Sequence, residues 1–305
     1  MGRKRRGDAI DGVLLLDKPS GITSNLALQK ARRALNAVKA GHAGTLDPLA
    51  TGLLPLLFGE ATKFSADLLD ADKGYRARIR LGIRTDTADA DGEVVAQRPV
   101  SASRDQVVAA LARFRGTVAQ VPPMHSALKR DGKPLYAYAR AGIEVERTPR
   151  TVTITRLDLL DFDATDLTVD IDCSKGTYIR TLADDLGEVL GCGAHLLQLQ
   201  RTRVGRLALE HGVALAAFEA LDRDERLAML LPVDSLLQDL ARVDLGAPQA
   251  QRFAHGNELE LGITNERTPG RKRVYGPEAN LLGIAELNPL GVLQPRRLLT
   301  QEVGP

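Results

Sequence analysis

The chain has 305 residues, of which 44% are hydrophobic and 26% charged, and its net charge is +2. This is globular composition, with enough chain for a sizeable core and, by length, for two domains. A charge this small identifies no partner by itself, and no apolar run approaches the roughly 20 residues of a membrane span. Trp is absent and aromatics are only 4%, so each Tyr carries weight. The two cysteines, Cys173 and Cys192, form neither a disulfide framework nor a CxxC metal site. Each is expected to be a buried apolar residue in a reducing compartment. The start, MGRKRRGDAIDG, is basic but lacks the apolar core of a secretory leader, so a cytoplasmic protein is expected.

GVLLLDKPSGITS predicts a short buried strand and a Pro-Gly turn. Ser24 or Asn25 is placed to cap the helix NLALQKARRALNA, whose far face is basic. GLLPLLFGE predicts a buried strand in which Pro55 signals an edge or a bulge. EATKFSADLLDAD follows as a helix. GYRARIRLGIRTDT alternates with period two: Tyr75, Ala77, Ile79 and Leu81 face one way, and Arg76, Arg78 and Arg80 the other. SASRDQVVAALARFRG predicts a helix with a capping box from Ser103 to Gln106, ending at Gly116.

PPMHSALKRDGKPLYAYARAGIEVERTPR is a long excursion rich in Lys, Arg, Gly and Pro. Two strands are expected next, TVTITRLDLLDF and DLTVDIDCS, then the helix KGTYIRTLADDLGEVLG, stopped at Gly191. A short strand, RVGRLAL, and a helix near FEALDRDERLAML close this part. After about Asp234 the texture changes to short strand-like pieces separated by Gly, Pro and Asn, which predicts a small all-β domain.

Several familiar sites are excluded by their spacing. ADADGEVV, set on a calcium-loop template, puts Thr87 at the first ligand position and Arg98 at the last, and both fail. It reads as a solvated acidic turn. LLLDKP has Pro19 where an aspartyl-phosphate strand needs a second Asp, so Asp17-Lys18-Pro19 reads as a structural turn with Lys18 a possible phosphate contact. There is no HExxH, no GxxxxGK[ST], and no GxGxxG between a strand and a helix. The five histidines, His42, His125, His195, His211 and His255, are scattered. Carboxylate chemistry without metal or nucleotide cofactor is therefore expected.

The stretch GHAGTLDPLATGLL holds a single carboxylate, Asp47, between glycines and an aliphatic run. It is either an Asp-Pro turn residue or a reactive carboxylate held against an apolar wall. A reactive carboxylate must stay ionised, which calls for a nearby cation. CSKGTYIRTLADDLG offers Arg180, either a surface helix Arg or the partner of a carboxylate in a bidentate pair. Tyr178, one residue before Ile179, is either core packing or part of the same site.

GHAGTLDPLATGLLPL, with GVLLLDKPSGITS before it and GYRARIRLGIRTDTADADG and CSKGTYIRTLADDLG after it, closely resembles the bacterial tRNA pseudouridine-55 synthases of the TruB family. The resemblance runs from about Asp11 to about Asp234, and four separated motifs occur in the family order. The C-terminal part resembles the family's PUA-like domain only loosely. The His of PPMHSALK departs from the tyrosine common there in relatives, which leaves the role of His125 open.

The resemblance implies an α+β fold: a mixed, mainly antiparallel sheet with flanking helices and a central RNA-binding cleft, followed by a small PUA-like β domain. It implies a catalytic domain over residues 1–238, with a thumb-like insertion at about 122–150, and a tail domain over 239–305. The implied reaction isomerises uridine in the tRNA T-arm to pseudouridine by base flipping and Asp-dependent cleavage and re-formation of the glycosidic bond. A tRNA-folding chaperone role is a further implication. Motif by motif, Asp47 matches the essential carboxylate, acting as nucleophile or through a glycal, and Arg180 matches its partner. Tyr75 matches the tyrosine that stacks on the uracil and is a candidate for proton transfer. Tyr178 and Leu199 match pocket residues, and His42 the histidine beside the flipped nucleotide. The thumb charges Lys129, Arg130, Lys133, Arg140, Arg147 and Arg150 are expected on RNA, as are Lys18, Arg3, Lys4, Arg5, Arg6, Lys30, Arg32 and Arg33. No cofactor or metal is implied, and a monomer acting on tRNA is expected. The rival readings are a non-catalytic RNA-binding protein on the same scaffold, and a carboxylate hydrolase, which would want a second acid across the bond.

Overall fold

The computed structural model describes residues 7–126, 128–262 and 268–300, so the basic cluster Arg3, Lys4, Arg5 and Arg6 lies outside the described residues. The chain opens with β1 (Gly12–Lys18), α1 (Ser24–Ala34), β2 (Ala40–His42), β3 (Thr51–Phe58), α2 (Ser65–Asp70) and β4 (Lys73–Leu81). A hairpin of β5 (Ile83–Thr85) and β6 (Val94–Gln97) leads to α3 (Arg104–Ala112) and β7 (Gly116–Gln120). The excursion holds β8 (Lys129–Arg130), β9 (Lys133–Pro134) and α4 (Leu135–Arg140). Then come β10 (Arg150–Phe162), β11 (Asp166–Cys173), α5 (Ile179–Val189), β12 (Ala194–Val204), β13 (Leu207–Ala208), β14 (Val213–Ala214), α6 (Leu215–Ala220) and α7 (Arg223–Ala228). The C-terminal part comprises β15 (Ala241–Asp244), α8 (Ala247–Ala254), β16 (Leu259–Glu260), β17 (Gly270–Tyr275), β18 (Leu281–Leu287) and β19 (Val292–Leu298).

The large sheet runs β14-β1-β3-β12-β4-β11-β10-β7, with β2 beside β3 and β13 beside β12. Its pairs are antiparallel except β1–β14 and β3–β12. The α+β architecture is thus as expected. β1 is apolar on both faces because it is covered on both: Leu14 and Leu16 enter one core with α1, α3 and α5, while Val13 and Leu15 enter a second. Pro55 sits where β3 changes neighbours, between β2, paired as far as Leu56, and β12, paired from Gly52. Its carbonyl accepts from Ala43 N, so its missing N–H faces that gap and breaks no ladder bond.

Some local expectations give way. The α1 cap is Thr23, which accepts the Leu26 N–H, because Ser24 is turned inward. The capping box of Ser103 and Gln106 is present, but α3 stops at Ala112, and Gly116 opens β7 instead. The short strand expected at RVGRLAL is the end of an eleven-residue central strand, β12, and its return. The tail is not all β: its five-stranded sheet, β15-β17-β18-β19-β16, carries α8, whose Phe253 fills the small core. No helix among the described residues is long and apolar enough to cross a membrane.

The basic outer face of β4 is neutralised by its neighbour. Arg76 pairs with Asp170 at 2.8 Å, and Arg78 and Arg80 both pair with Asp166, at 2.6 and 2.7 Å. Asp166 is only 4% exposed, and the Arg80 hydrogen bonds hold its pKa below the ordinary value. A depressed carboxyl stabilises the fold above its unfolded pKa and loses that effect as pH falls through the folded value. Asp166→Asn is therefore expected to cost about 1–2 kcal/mol at pH 7 and almost nothing at pH 2. Urea unfolding of both proteins at the two pH values checks this.

Candidate active site

The loop from Ala43 to Ala50, between β2 and β3, is held from below by buried side chains. Ser24 Oγ donates to Leu46 O at 3.0 Å and accepts from Leu46 N at 2.8 Å. Lys18, fully buried, donates from Nζ to the carbonyls of Pro19 and Ile22, both at 2.8 Å, and of Pro48 at 3.4 Å. The expectation of a phosphate contact at Lys18 is therefore corrected: an ammonium with no exposure and three carbonyls cannot meet RNA. Burial pulls its pKa down to about 8, with Asp47 opposing that fall and Arg201 adding to it. Within the loop, Ala50 N donates to Asp47 O at 3.1 Å. Asp47 is thus a turn residue in its backbone, while its side chain does something else.

That side chain meets Arg180, whose Nε lies 3.0 Å from Asp47 Oδ2. The pair is not bidentate. Arg180 Nη1 donates to Thr87 O at 3.2 Å and Nη2 to His125 O at 2.7 Å, and Asp89 Oδ2 lies 3.6 Å from Nε. One 5%-exposed guanidinium thereby joins three loops. His125 takes part through its carbonyl. Arg180 is placed by α5, whose entry is fixed by Gln120: its amide accepts from Tyr178 N at 3.0 Å and donates to Tyr178 O at 3.3 Å. Gly176, at φ +78°, allows the sharp approach to that helix.

The acidic turn is solvated at Asp91 and Glu93, as read, but not at Asp89. Asp89 is 5% exposed and faces Arg180, with Oδ1 accepting from Asp91 N at 3.1 Å. Two carboxylates share one guanidinium. Asp47 keeps 40% of its side chain open to the cleft, yet enough protein surrounds the carboxyl that burial raises its pKa. Arg180 and Lys18 oppose that rise, and Asp89 adds to it by repulsion.

Asp47, Tyr75, Tyr178, Arg180, Leu199 and Arg201 line one cleft of about 330 Å³. One loop, two strands and the start of one helix, far apart in sequence, supply them. Arg201, which sequence reasoning missed, is 1% exposed and lies directly opposite Tyr75 where β12 pairs with β4. His42 is outside this lining; it ends β2, half-buried, with Nδ1 unpartnered, and burial lowers its pKa. A larger groove of about 790 Å³ includes Arg76, Arg78, Asp166 and Gln200, but its arginines are already paired with Asp170 and Asp166. Lys129, Arg130 and Lys133 are exposed on the β8–β9 hairpin, outside the cleft lining, and Arg130 also bonds Glu146 O. Lys30 is engaged by Glu219 at 3.1 Å, and Arg32 by Ala37 O at 3.0 Å.

Residues 32–179 match the N-terminal domain of the TruB family pseudouridylate synthases. Residues 180–238 match the tRNA pseudouridylate synthase B C-terminal domain, and 241–299 a C-terminal domain of pseudouridine synthase II TruB. The chain belongs to the TruB family of pseudouridylate synthases. Among its relatives is a protein of Ralstonia nicotianae named tRNA pseudouridine synthase B, 59% identical over 95% of this chain and 94% of that one. A protein of the same name from Dechloromonas aromatica is 56% identical over 97% and 98%. The fold is also that of a solved Cbf5-Nop10-Gar1 complex chain, with a TM-score of 0.70 and 25% identity over 92% of this chain and 79% of that one.

For this TruB-family enzyme, the raised Asp47 pKa gives a testable expectation, should the reaction use that carboxylate. The ionised carboxylate is lost as pH falls through that raised value, so activity is expected to fall above the ordinary Asp range. Asp89→Asn removes the repulsion and is expected to move this acid limb to lower pH, while slowing the plateau rate about tenfold or more through a less constrained Arg180. Single-turnover rates across pH for both proteins check it.

Proposed function

We propose that this chain isomerises a uridine in the T-arm of tRNA to pseudouridine, with Asp47 opening the N1–C1′ bond. The observation that carries the reading is the 3.0 Å Asp47–Arg180 contact inside a cleft lined by Tyr75, Tyr178 and Leu199. The names of the relatives, which specify tRNA, support the substrate class. A uridine within a folded loop hides its glycosidic bond and must be extruded, at a cost of a few kcal/mol. Stacking on Tyr75 recovers roughly 1–3 kcal/mol of that. Tyr178 and Leu199 close on the uracil from other sides, and His42, beside the loop rather than in the cleft, meets the RNA around the extruded nucleotide.

Arg180 keeps the carboxylate ionised as substrate displaces water from it. Attack at C1′ and elimination to a glycal both bring the carboxylate to the sugar, so this placement serves either route. The isomerisation consumes no redox equivalent. In this reading residues 1–238 form the catalytic domain, residues 122–150 a thumb that meets RNA phosphates, and residues 239–305 a PUA-like domain. A tRNA-folding role would use the same binding surface. The two buried, unpaired thiols, Cys173 and Cys192, fit a cytoplasmic setting.

Asp47→Asn is expected to abolish pseudouridine formation in an unmodified T-arm stem-loop while leaving RNA affinity within a few-fold. Normal single-turnover rates in that variant contradict the assignment, and binding without isomerisation by the wild type supports the non-catalytic rival. Arg180→Met is expected to be nearly as damaging at neutral pH, because it leaves the carboxylate without its counter-charge.

The thumb makes a separate prediction. Replacing Lys129, Arg130 and Lys133 together by Ala is expected to flatten the salt dependence of stem-loop affinity by up to about three phosphate equivalents, each worth a log–log slope of about 0.7. Affinities across a salt series check it, and an unchanged slope removes the hairpin from the RNA interface.

A further inference from the structure

One register row crosses the sheet beneath the cleft. Lys18 on β1 faces Gly52 on β3, Gly52 faces Arg201 on β12, and Arg201 faces Tyr75 on β4. Directly opposed residues share a face of the sheet. Gly52 has φ +97°, and a Cβ there would lie 2.4 Å from Arg201 O, so β12 comes this close only because position 52 is glycine. The row thus sets a buried arginine directly across from Tyr75, in the same cleft.

Arg201 donates from Nε to Leu53 O at 2.8 Å and from Nη2 to Gly44 O at 3.1 Å, and it lines the cleft together with Tyr75. Among the described residues no carboxylate pairs with it, and Tyr75 is the group that favours its charge. Its other ionisable neighbours, Lys18, Lys73 and His42, are basic. Lys73 is itself 7% exposed, with Nζ on the carbonyls of Leu68, Leu69 and Ala71. A buried cation set among carbonyls and other basic groups is costly, and an arginine does not readily escape by losing its proton. Such an arrangement stores positive charge for an anion absent from the resting site.

We propose that this anion is the Tyr75 phenolate: Arg201 is the positioning residue and counter-cation that lets Tyr75 carry a proton between two atoms of the uracil ring. The inference rests on the isomerisation proposed above. Breaking N1–C1′ leaves the electron pair on N1. After the uracil turns, that pair, conjugated through C6, forms the C5–C1′ bond, leaving N1=C6 and a hydrogen on tetrahedral C5. Asp47 returns as the carboxylate. The product needs a proton added at N1 and one removed from C5. The Tyr75 O–H gives its proton to N1, and the tyrosinate then takes the proton from C5, whose C–H pair restores C5=C6. Both atoms flank C6, so one hydroxyl presented to that edge reaches both. Tyrosine ends as it began.

The surroundings agree in sign. Burial raises the Tyr75 pKa, with Cys173 and Asp47 adding to the rise, and the Arg201 charge opposes it. The phenol is therefore neutral at rest, and Arg201 is the group that makes its ionised form accessible.

The test uses the full chain, the unmodified T-arm stem-loop, and 3-fluorotyrosine placed at position 75 as a ¹⁹F NMR probe of the phenol. Arg201→Gln is expected to slow single-turnover isomerisation about 100-fold or more with affinity within a few-fold, and Arg201→Lys to recover about tenfold of that. The phenol is expected to titrate at higher pH in Arg201→Gln than in the wild type. In a Tyr75→Phe background, Arg201→Gln is expected to add less than about threefold. An unmoved phenol titration, or a full further loss in the Phe background, makes Arg201 purely structural and overturns the proposal. If Arg201→Gln does not fold, fluorinated tyrosines of graded acidity at position 75 decide it: the rate must vary with phenol acidity, and a flat series overturns the proposal. A wild type that forms no pseudouridine defeats the isomerase reading instead, while the titration still reads the coupling of Arg201 to Tyr75.

Discussion

The site depends on one guanidinium. Arg180 is almost fully buried, and its N–H groups are spread over a carboxylate and two carbonyls from three separate loops. Such a group cannot move toward Asp47 without leaving Thr87 or His125 unpaired, so its place is fixed by several partners at once. The carboxylate it holds remains open to the cleft. The consequence is a partly desolvated carboxylate with a fixed counter-charge, an arrangement that a flexible surface pair could not maintain.

The rest of the fold supplies this pair with rigid surroundings. The loop carrying Asp47 is fixed from beneath by Lys18, Ser24 and Arg201, each bonding loop backbone atoms and none exposed beyond 1%. Gln120, at the end of β7, sets the start of α5 and so the origin of the Arg180 side chain. On the far side of the sheet, Asp166 and Asp170 neutralise the arginines of β4. Lys18, Lys73 and Arg201 are instead held by carbonyls, with no acid hydrogen-bonded to them among the described residues.

What was legible in the sequence was local. The alternation of β4 and the capping box at Ser103 depend on neighbours within a few residues, and both are present as read. Asp47, Tyr75, Tyr178, Arg180 and Leu199 were named from motifs, and the fold gathers all five in one cleft. What escaped depends on distant partners. Asp89 looked like a solvated turn because the arginine that buries it lies on α5. Lys18 looked exposed because its cage is made of backbone carbonyls, which no side-chain pattern reveals. β12 was hidden because register shifts near Leu196 and Arg201 break its alternation, and because its inward-facing Arg201 reads as a surface residue. The helix α8 is short, polar and opened by Pro248, so it resembled a loop.

The central claim is that Asp47 is a desolvated carboxylate held ionised by Arg180. Its most direct test is a ¹³C NMR titration of the Asp47 carboxyl in the wild-type chain and in Arg180→Lys, where a mobile ammonium replaces the fixed guanidinium. The account predicts a pKa above the ordinary Asp value of about 3.9 in the wild type and a higher one in the variant. An ordinary value in both proteins, indifferent to residue 180, would contradict it.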